Sequence, residues 1–346
     1  MSNKKINIRD LSIDDIDNII ISLEEKAFRS KQIIDWIWNK GIDSFDKMKN
    51  IPAKILNNLK ENYCINQIKI IQHQKSTDGT EKFLFESVDN FFFEGVLIKS
   101  KNRITACIST QIGCALACKF CESGKNGFER NLSIGEIFDQ ILLMNKQCVE
   151  NNTKISNIVI MGMGEPLLNY DNVINFINHI TSKYSYGFSP ARITLSTVGI
   201  VPQIKKIADN NLKINMAISL HTVNNNKRNL IMPINKKYNL EQLKEAIKYY
   251  YKKTGNRITY EYLMLKNIND SLSDAIALAE FTKISPCKIN IIEYNEVSDC
   301  LYKQAEKEKL NIFYEYLFSK NLIVNIRKSK GTDINAACGQ LAKKNK

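Results

Sequence analysis

At 346 residues the chain is too long for one small domain and fits a catalytic domain of roughly 200 to 250 residues with a smaller appendage. A hydrophobic share of 44% with 25% charged residues suits a large-cored soluble protein, and no run approaches the roughly 18 consecutive apolar residues of a membrane span. The net charge of +13 favours a polyanionic partner such as nucleic acid, although joint richness in Lys, Asn and Ile would also follow from a biased genome.

Residues Met1–Asp10 lack the apolar core of a secretory signal, and an odd count of nine cysteines does not read as a disulfide framework, so a reduced, cytoplasmic setting is expected. Residues 1–88 read as a small, mostly helical N-terminal domain, with helical apolar spacing over Ile16–Glu24 and Lys31–Asn39. Trp36 and Trp38 could stack on bases, but tryptophans among isoleucines on one helix read as core. From about residue 90, short apolar runs alternate with amphipathic segments: Ile104–Ser109, Ile134–Met144, Ile155–Met161, Asp171–Ile180, and onward to Leu322–Arg327. Strand and helix taking turns predicts an α/β domain over 89–335 with a parallel sheet, open or barrel-like, whose ligands sit at the carboxyl ends of the strands.

Cys114, Cys118 and Cys121 have Cys-x3-Cys-x2-Cys spacing, three thiolates for a cubane of four irons. One iron is thereby left open to a ligand. Zinc is the alternative, but it needs a fourth ligand, and His73, His179 and His221 all lie far away in sequence. The run Ile158–Met161 followed by Gly162-Met-Gly-Glu-Pro166 is an apolar strand ending in glycines and a carboxylate, where backbone can approach a ligand and Glu165 can bind an ammonium. Ser196, Ser219-Leu220-His221 and Asn295 end later strands and would converge on the same rim. Cys338 sits among alanines and a glycine, which leaves room for a sulfur to approach a substrate; a lone buried thiol is the alternative.

The cysteine triplet resembles the signature of radical S-adenosylmethionine (SAM) enzymes, whose free iron is chelated by SAM. The wider set is similar to the RlmN-type dual-specificity rRNA and tRNA adenine methyltransferases: Gln111–Cys121, Gly127–Leu132, Met161–Asn169, Met232–Asn239 and Asp333–Leu341 carry the likeness over nearly the whole chain. Two places depart from the family pattern. Glu122-Ser-Gly124 stands where many relatives have a small residue and then Thr-Gly or Thr-Ala, and Glu296 follows Asn295 in place of proline.

The resemblance implies a partial parallel (βα)6 barrel, one [4Fe-4S] cluster on Cys114, Cys118 and Cys121, and SAM held by Gly164, Glu165, Ser196, Ser219, Leu220, His221 and Asn295. It implies that one SAM methylates Cys338, in a C-terminal tail over 336–346, and that a second yields the radical that activates this methyl for addition to carbon 2 of adenine. Cys107 would then form a transient disulfide with Cys338, and Glu94 would accept the carbon-2 proton. Read without the resemblance, Cys107 is a buried strand residue and Glu94 the solvent side of an alternating strand. The implied partners are 23S rRNA, tRNA and a low-potential donor such as flavodoxin or ferredoxin, with no membrane and a monomeric chain. The rivals are a carbon-8 adenine methyltransferase conferring antibiotic resistance, and a noncatalytic RNA-binding protein with structural zinc.

Overall fold

The computed structural model describes residues 5–125, 127–150, 152–297 and 300–342, so the last four residues of the expected tail lie outside the described residues. Strand β1 (Ile6–Asn7) and helices α1 (Ile13–Ser22), α2 (Phe28–Ile34) and α3 (Ala53–Asn62) precede β2 (Tyr63–Cys64), which pairs in parallel with β1. A capping box starts α1: the Ser12 hydroxyl accepts from the Asp15 amide at 3.1 Å, and the Asp15 carboxylate accepts from the Ser12 amide at 2.8 Å. Ile16, Ile20, Ile33, Ile34, Ile37 and Trp38 recur at helical spacing and are buried. Trp38 stacks on His179 of the catalytic domain with ring centroids 4.1 Å apart, so its place is the core and not a base-stacking surface.

The helical part ends at Asn62, short of the expected 88. Strands β3 (Lys69–Lys75) and β4 (Glu81–Glu86) instead form an antiparallel meander with β5 (Phe92–Ser100) and β6 (Arg103–Cys107). Residues Glu81–Phe85 are all buried, Glu81 and Lys82 through ion pairs to Lys99 and Glu94. The strand therefore lacks the polar and apolar alternation that marks one in a sequence.

Short strands β7 (Gln111–Gly113) and β8 (Phe128–Asn131) pair with each other, after which β9 (Asn157–Ile160) lies parallel to β6. Strands β10 (Ile193–Thr197), β11 (Asn215–Ser219), β12 (Ile258–Met264), β13 (Cys287–Glu293) and β14 (Val324–Arg327) follow in chain order, each parallel to the last. Helices α4 (Ile134–Glu150), α5 (Tyr170–Thr181), α6 (Val201–Asp209), α7 (Asn225–Ile231), α8 (Leu240–Thr254), α9 (Leu272–Thr282) and α10 (Lys307–Ser319) make the crossovers. Six strand-and-helix units thus run from β6 to α10 in a sheet left open at β3 and β14, which is the partial barrel expected. The buried Arg9 guanidinium meets Asp139 of α4 at 2.6 Å and the Ile42 carbonyl at 2.9 Å, fixing the N-terminal unit to the barrel. No described helix is long and apolar enough to cross a membrane.

Candidate active site

The cysteine loop hangs between β7 and β8. Gly113 has φ of +75°, and a side chain there would collide with the Gly127 carbonyl, so only glycine lets the two strands close the loop. The Lys119 amide donates to the Ile231 carbonyl at 2.9 Å and the Cys114 amide to the Gly127 carbonyl at 3.0 Å, which pins the loop over the strand ends. Cys114, Cys118 and Cys121 all line one cleft, at the carboxyl ends of the parallel strands.

Burial pushes the Cys114 thiol up to about 12 and raises Cys118 and Cys121 as well, so a metal must supply the positive charge that makes them thiolates. No three metal-binding side chains among the described residues stand close enough to enclose a single ion. A cubane instead spreads its ligands over separate irons. His221 lines the same cleft, but its Nδ1 accepts the Leu263 amide hydrogen at 3.0 Å and burial drives the imidazole down to about 3. The neutral ring then carries its proton on Nε2 and offers no free lone pair to zinc. The residues present fit the cluster.

Next to the cysteines, Gly164 has φ of +96°, and a Cβ there would lie 2.5 Å from the Gln111 side chain. That side chain accepts the Glu165 amide hydrogen at 2.8 Å. The Glu165 carboxylate accepts the amides of Leu167 at 3.1 Å and Val198 at 2.9 Å. Burial lifts the carboxyl to about 7, so a cationic ligand would favour its ionised form. The hydroxyls of Ser196 and Ser219 are 3.4 Å apart on adjacent strand ends and face the same cleft. Leu220 and Asn295 do not line it. Both backbone polar groups of Leu220 are taken, its amide by Glu261 and its carbonyl by Arg228.

Cys338 is exposed and opens on this cleft, and it also lines a narrower cavity shared with Cys107 and Arg327. Cys107 is buried at the end of β6, where burial pushes its thiol up to about 12. Glu94 on β5 is 1% exposed, not on a solvent face, and lines a third, polar cavity with Lys82. Its Oε2 accepts the Ala342 amide hydrogen at 3.0 Å, so the tail carrying Cys338 rests on it. Both departures from the family pattern also touch that tail. Glu122 and Ser123 bond to the Gly339 and Leu341 carbonyls at 2.7 and 2.6 Å, and the Glu296 carbonyl accepts from Gln340 at 3.3 Å. The Asn295 amide donates to the Cys338 carbonyl at 3.4 Å.

Sequence reasoning passed over Arg228, Glu261 and Arg327. Buried Arg228 donates to the carbonyls of Val198 at 2.7 Å, Ser219 at 3.3 Å and Leu220 at 3.2 Å, binding the ends of β10 and β11 beneath the cysteine loop. Arg327 and Glu261 face each other across the cleft floor at 3.5 Å. A charged residue inside an apolar strand, as Glu261 is in Ile258–Met264, was the available signal.

An open-sided (βα)6 barrel with three thiols from one loop at the carboxyl rim defines a radical SAM enzyme. Residues 108–279 match the family described as the Radical SAM superfamily, and residues 6–65 match the Ribosomal RNA large subunit methyltransferase N-terminal domain. The chain is 46% identical over 340 residues to the probable dual-specificity RNA methyltransferase RlmN of Cytophaga hutchinsonii, covering 98% of this chain and 93% of that one. The protein of the same name from Flavobacterium johnsoniae is 44% identical over 345 residues, covering 99% of each. The crystal structure of a radical SAM methyltransferase from Sphaerobacter thermophilus superposes with a TM-score of 0.90 at 31% identity, over 97% of this chain and 99% of that one. The chain belongs to the RlmN family of dual-specificity RNA methyltransferases and is a SAM-dependent enzyme with a [4Fe-4S] cluster.

Proposed function

We propose that the chain methylates carbon 2 of adenosine in 23S rRNA, near the peptidyl-transferase centre, and in tRNA, at the adenosine 3′ of the anticodon. The observation that carries this reading is that Cys338 opens at once on the cleft of the cluster cysteines and on the cavity of Cys107. Carbon 2 is an electron-poor amidine carbon and does not attack a sulfonium methyl, so the methyl must be carried and activated by another route. When bound, the cluster and SAM supply the one-electron chemistry and the methyl group, two SAM per turnover.

The chain's own residues do the rest. Cys114, Cys118 and Cys121 hold the cluster, and Gly164, Glu165, Ser196, Ser219 and His221 hold SAM, with the backbone of Leu220 and the side chain of Asn295 bracing the rim. The Cys338 sulfur carries the methyl to the base, after which Cys107 attacks that sulfur and frees the product as the two form a disulfide. Glu94 takes the proton from carbon 2. The basic surface and helical N-terminal domain hold RNA through phosphates and shape, with the target base unstacked into the cleft. The chain works as a cytoplasmic monomer fed by a low-potential donor such as flavodoxin or ferredoxin.

The test is expression in cells lacking their own enzyme, followed by mass spectrometry of digested RNA. The expected product is 2-methyladenosine in both rRNA and tRNA. Finding 8-methyladenosine alone, or no methylated adenosine dependent on the chain, overturns the reading.

A further inference from the structure

Lys82 is the second residue of β4 and is 6% exposed, an unusual depth for a lysine. Its ammonium meets the Glu94 carboxylate on the neighbouring strand at 3.3 Å and donates to the Asn335 carbonyl at 3.3 Å. It thus spans the buried carboxylate and the tail three residues before Cys338. The cavity they share is otherwise acidic: Glu122, Glu296 and Asp333 also face it, and Lys82 is the one cation among its described lining residues. Two of those carboxylates, Glu122 and Glu296, stand at the departures from the family pattern, and Glu122 is itself paired with Lys125 at 3.1 Å.

A carboxylate removes a proton from carbon only when its oxygen is held within reach of that proton, so whatever fixes the side chain's direction bears on the rate. Removing one partner of a buried pair leaves the other charge uncompensated. From this geometry we propose that Lys82 is a positioning residue for Glu94: it holds the carboxylate aimed at the place to which the tail brings the substrate carbon. The inference rests on the reading of Glu94 as proton acceptor. In the step served, the carbon-2 C–H bond breaks, its proton passes to a Glu94 oxygen, and the electron pair stays with the base.

The test compares Lys82→Met, Lys82→Arg and Glu94→Gln in the full-length, cluster-loaded enzyme. It reads methylation of Cys338 by peptide mass spectrometry, methylation of RNA, and the kinetic isotope effect with RNA deuterated at carbon 2. Lys82→Met is expected to methylate Cys338 as well as the parent while RNA methylation falls roughly ten- to a hundredfold, part of the 10² to 10⁴ contributed by a positioned base. Its isotope effect should exceed the parent's as proton removal becomes limiting, and Lys82→Arg should restore most of the rate. If Lys82→Met methylates RNA like the parent while Glu94→Gln is impaired, Lys82 has no such role although Glu94 is the base. If Lys82→Met loses Cys338 methylation in parallel, or keeps the parent isotope effect, its role is structural and the proposal fails. Normal turnover by Glu94→Gln removes the base itself, and the proposal with it.

Discussion

The Glu165 carboxylate, from the loop after β9, accepts the amide hydrogen of Val198 beyond β10 at 2.9 Å, so one side chain couples two strand ends beneath the cysteine loop. Glu165→Ala would free that amide and the one from Leu167, and would remove the carboxylate that stands next to the glycine turn at Gly164, where the ammonium of SAM is expected. Loss of hydrogen bonds to a charged group predicts SAM affinity lower by roughly ten- to a hundredfold in equilibrium dialysis, with iron content unchanged. Undiminished affinity would contradict the assignment.

The thiols are expected to fail differently. Cys107→Ala should accumulate protein crosslinked to RNA, visible as a shifted band in a denaturing gel, because nothing attacks the Cys338 sulfur. Cys338→Ala should form no crosslink and no product. Equal release of methylated RNA by the two variants would refute the roles.

Protonation of His179 should loosen the joint between the helical unit and the barrel. Burial lowers His179 from 6.5 to about 4, against the opposing hydrogen bond to the Leu11 carbonyl. The unfolded chain takes up this proton near pH 6.5 and the folded chain only near 4, so its contribution is complete above 6.5 and is lost as pH falls through that window. The group contributes up to about 3 kcal/mol of this slope. His179→Gln should flatten this group's share of the dependence of urea-unfolding stability between pH 6.5 and 4, with His221, lowered to about 3, still pulling in the same direction and Asp139 and Glu165, both lifted to about 7 by burial, pulling in the opposite one. An unchanged slope would contradict this.

Arg9 and Asp139 make the other fastening. Arg9→Met leaves a buried carboxylate unpaired and should cost about 3 to 5 kcal/mol, read as a lower urea midpoint. Combining it with Asp139→Leu should recover most of the loss. A double variant no better than the single one would show that the pair's geometry, not its charge, holds the joint.

The barrel was legible because its strands are short apolar runs: Ile104–Ser109 overlaps β6, Arg103–Cys107, while Ile155–Met161 contains β9, Asn157–Ile160, and Leu322–Arg327 contains β14, Val324–Arg327. The cysteine triplet was legible because its ligands come from one short loop. The β3–β4 hairpin was not, because ion pairs bury Glu81 and Lys82 where a sequence pattern expects exposed charge. Arg228, Glu261, Arg327 and Lys82 share that difficulty. Each is a single charged residue with a partner 8 to 66 positions away, on or beside another strand, and only the folded sheet brings the two together.

The most direct test of the whole account is mass spectrometry of the peptide containing Cys338, from enzyme loaded with its cluster and given SAM and reductant without RNA. The account predicts a Cys338 sulfur heavier by one methyl group, lost again when RNA is added and the base is methylated. RNA methylated by an enzyme whose Cys338 never carries that group would contradict it.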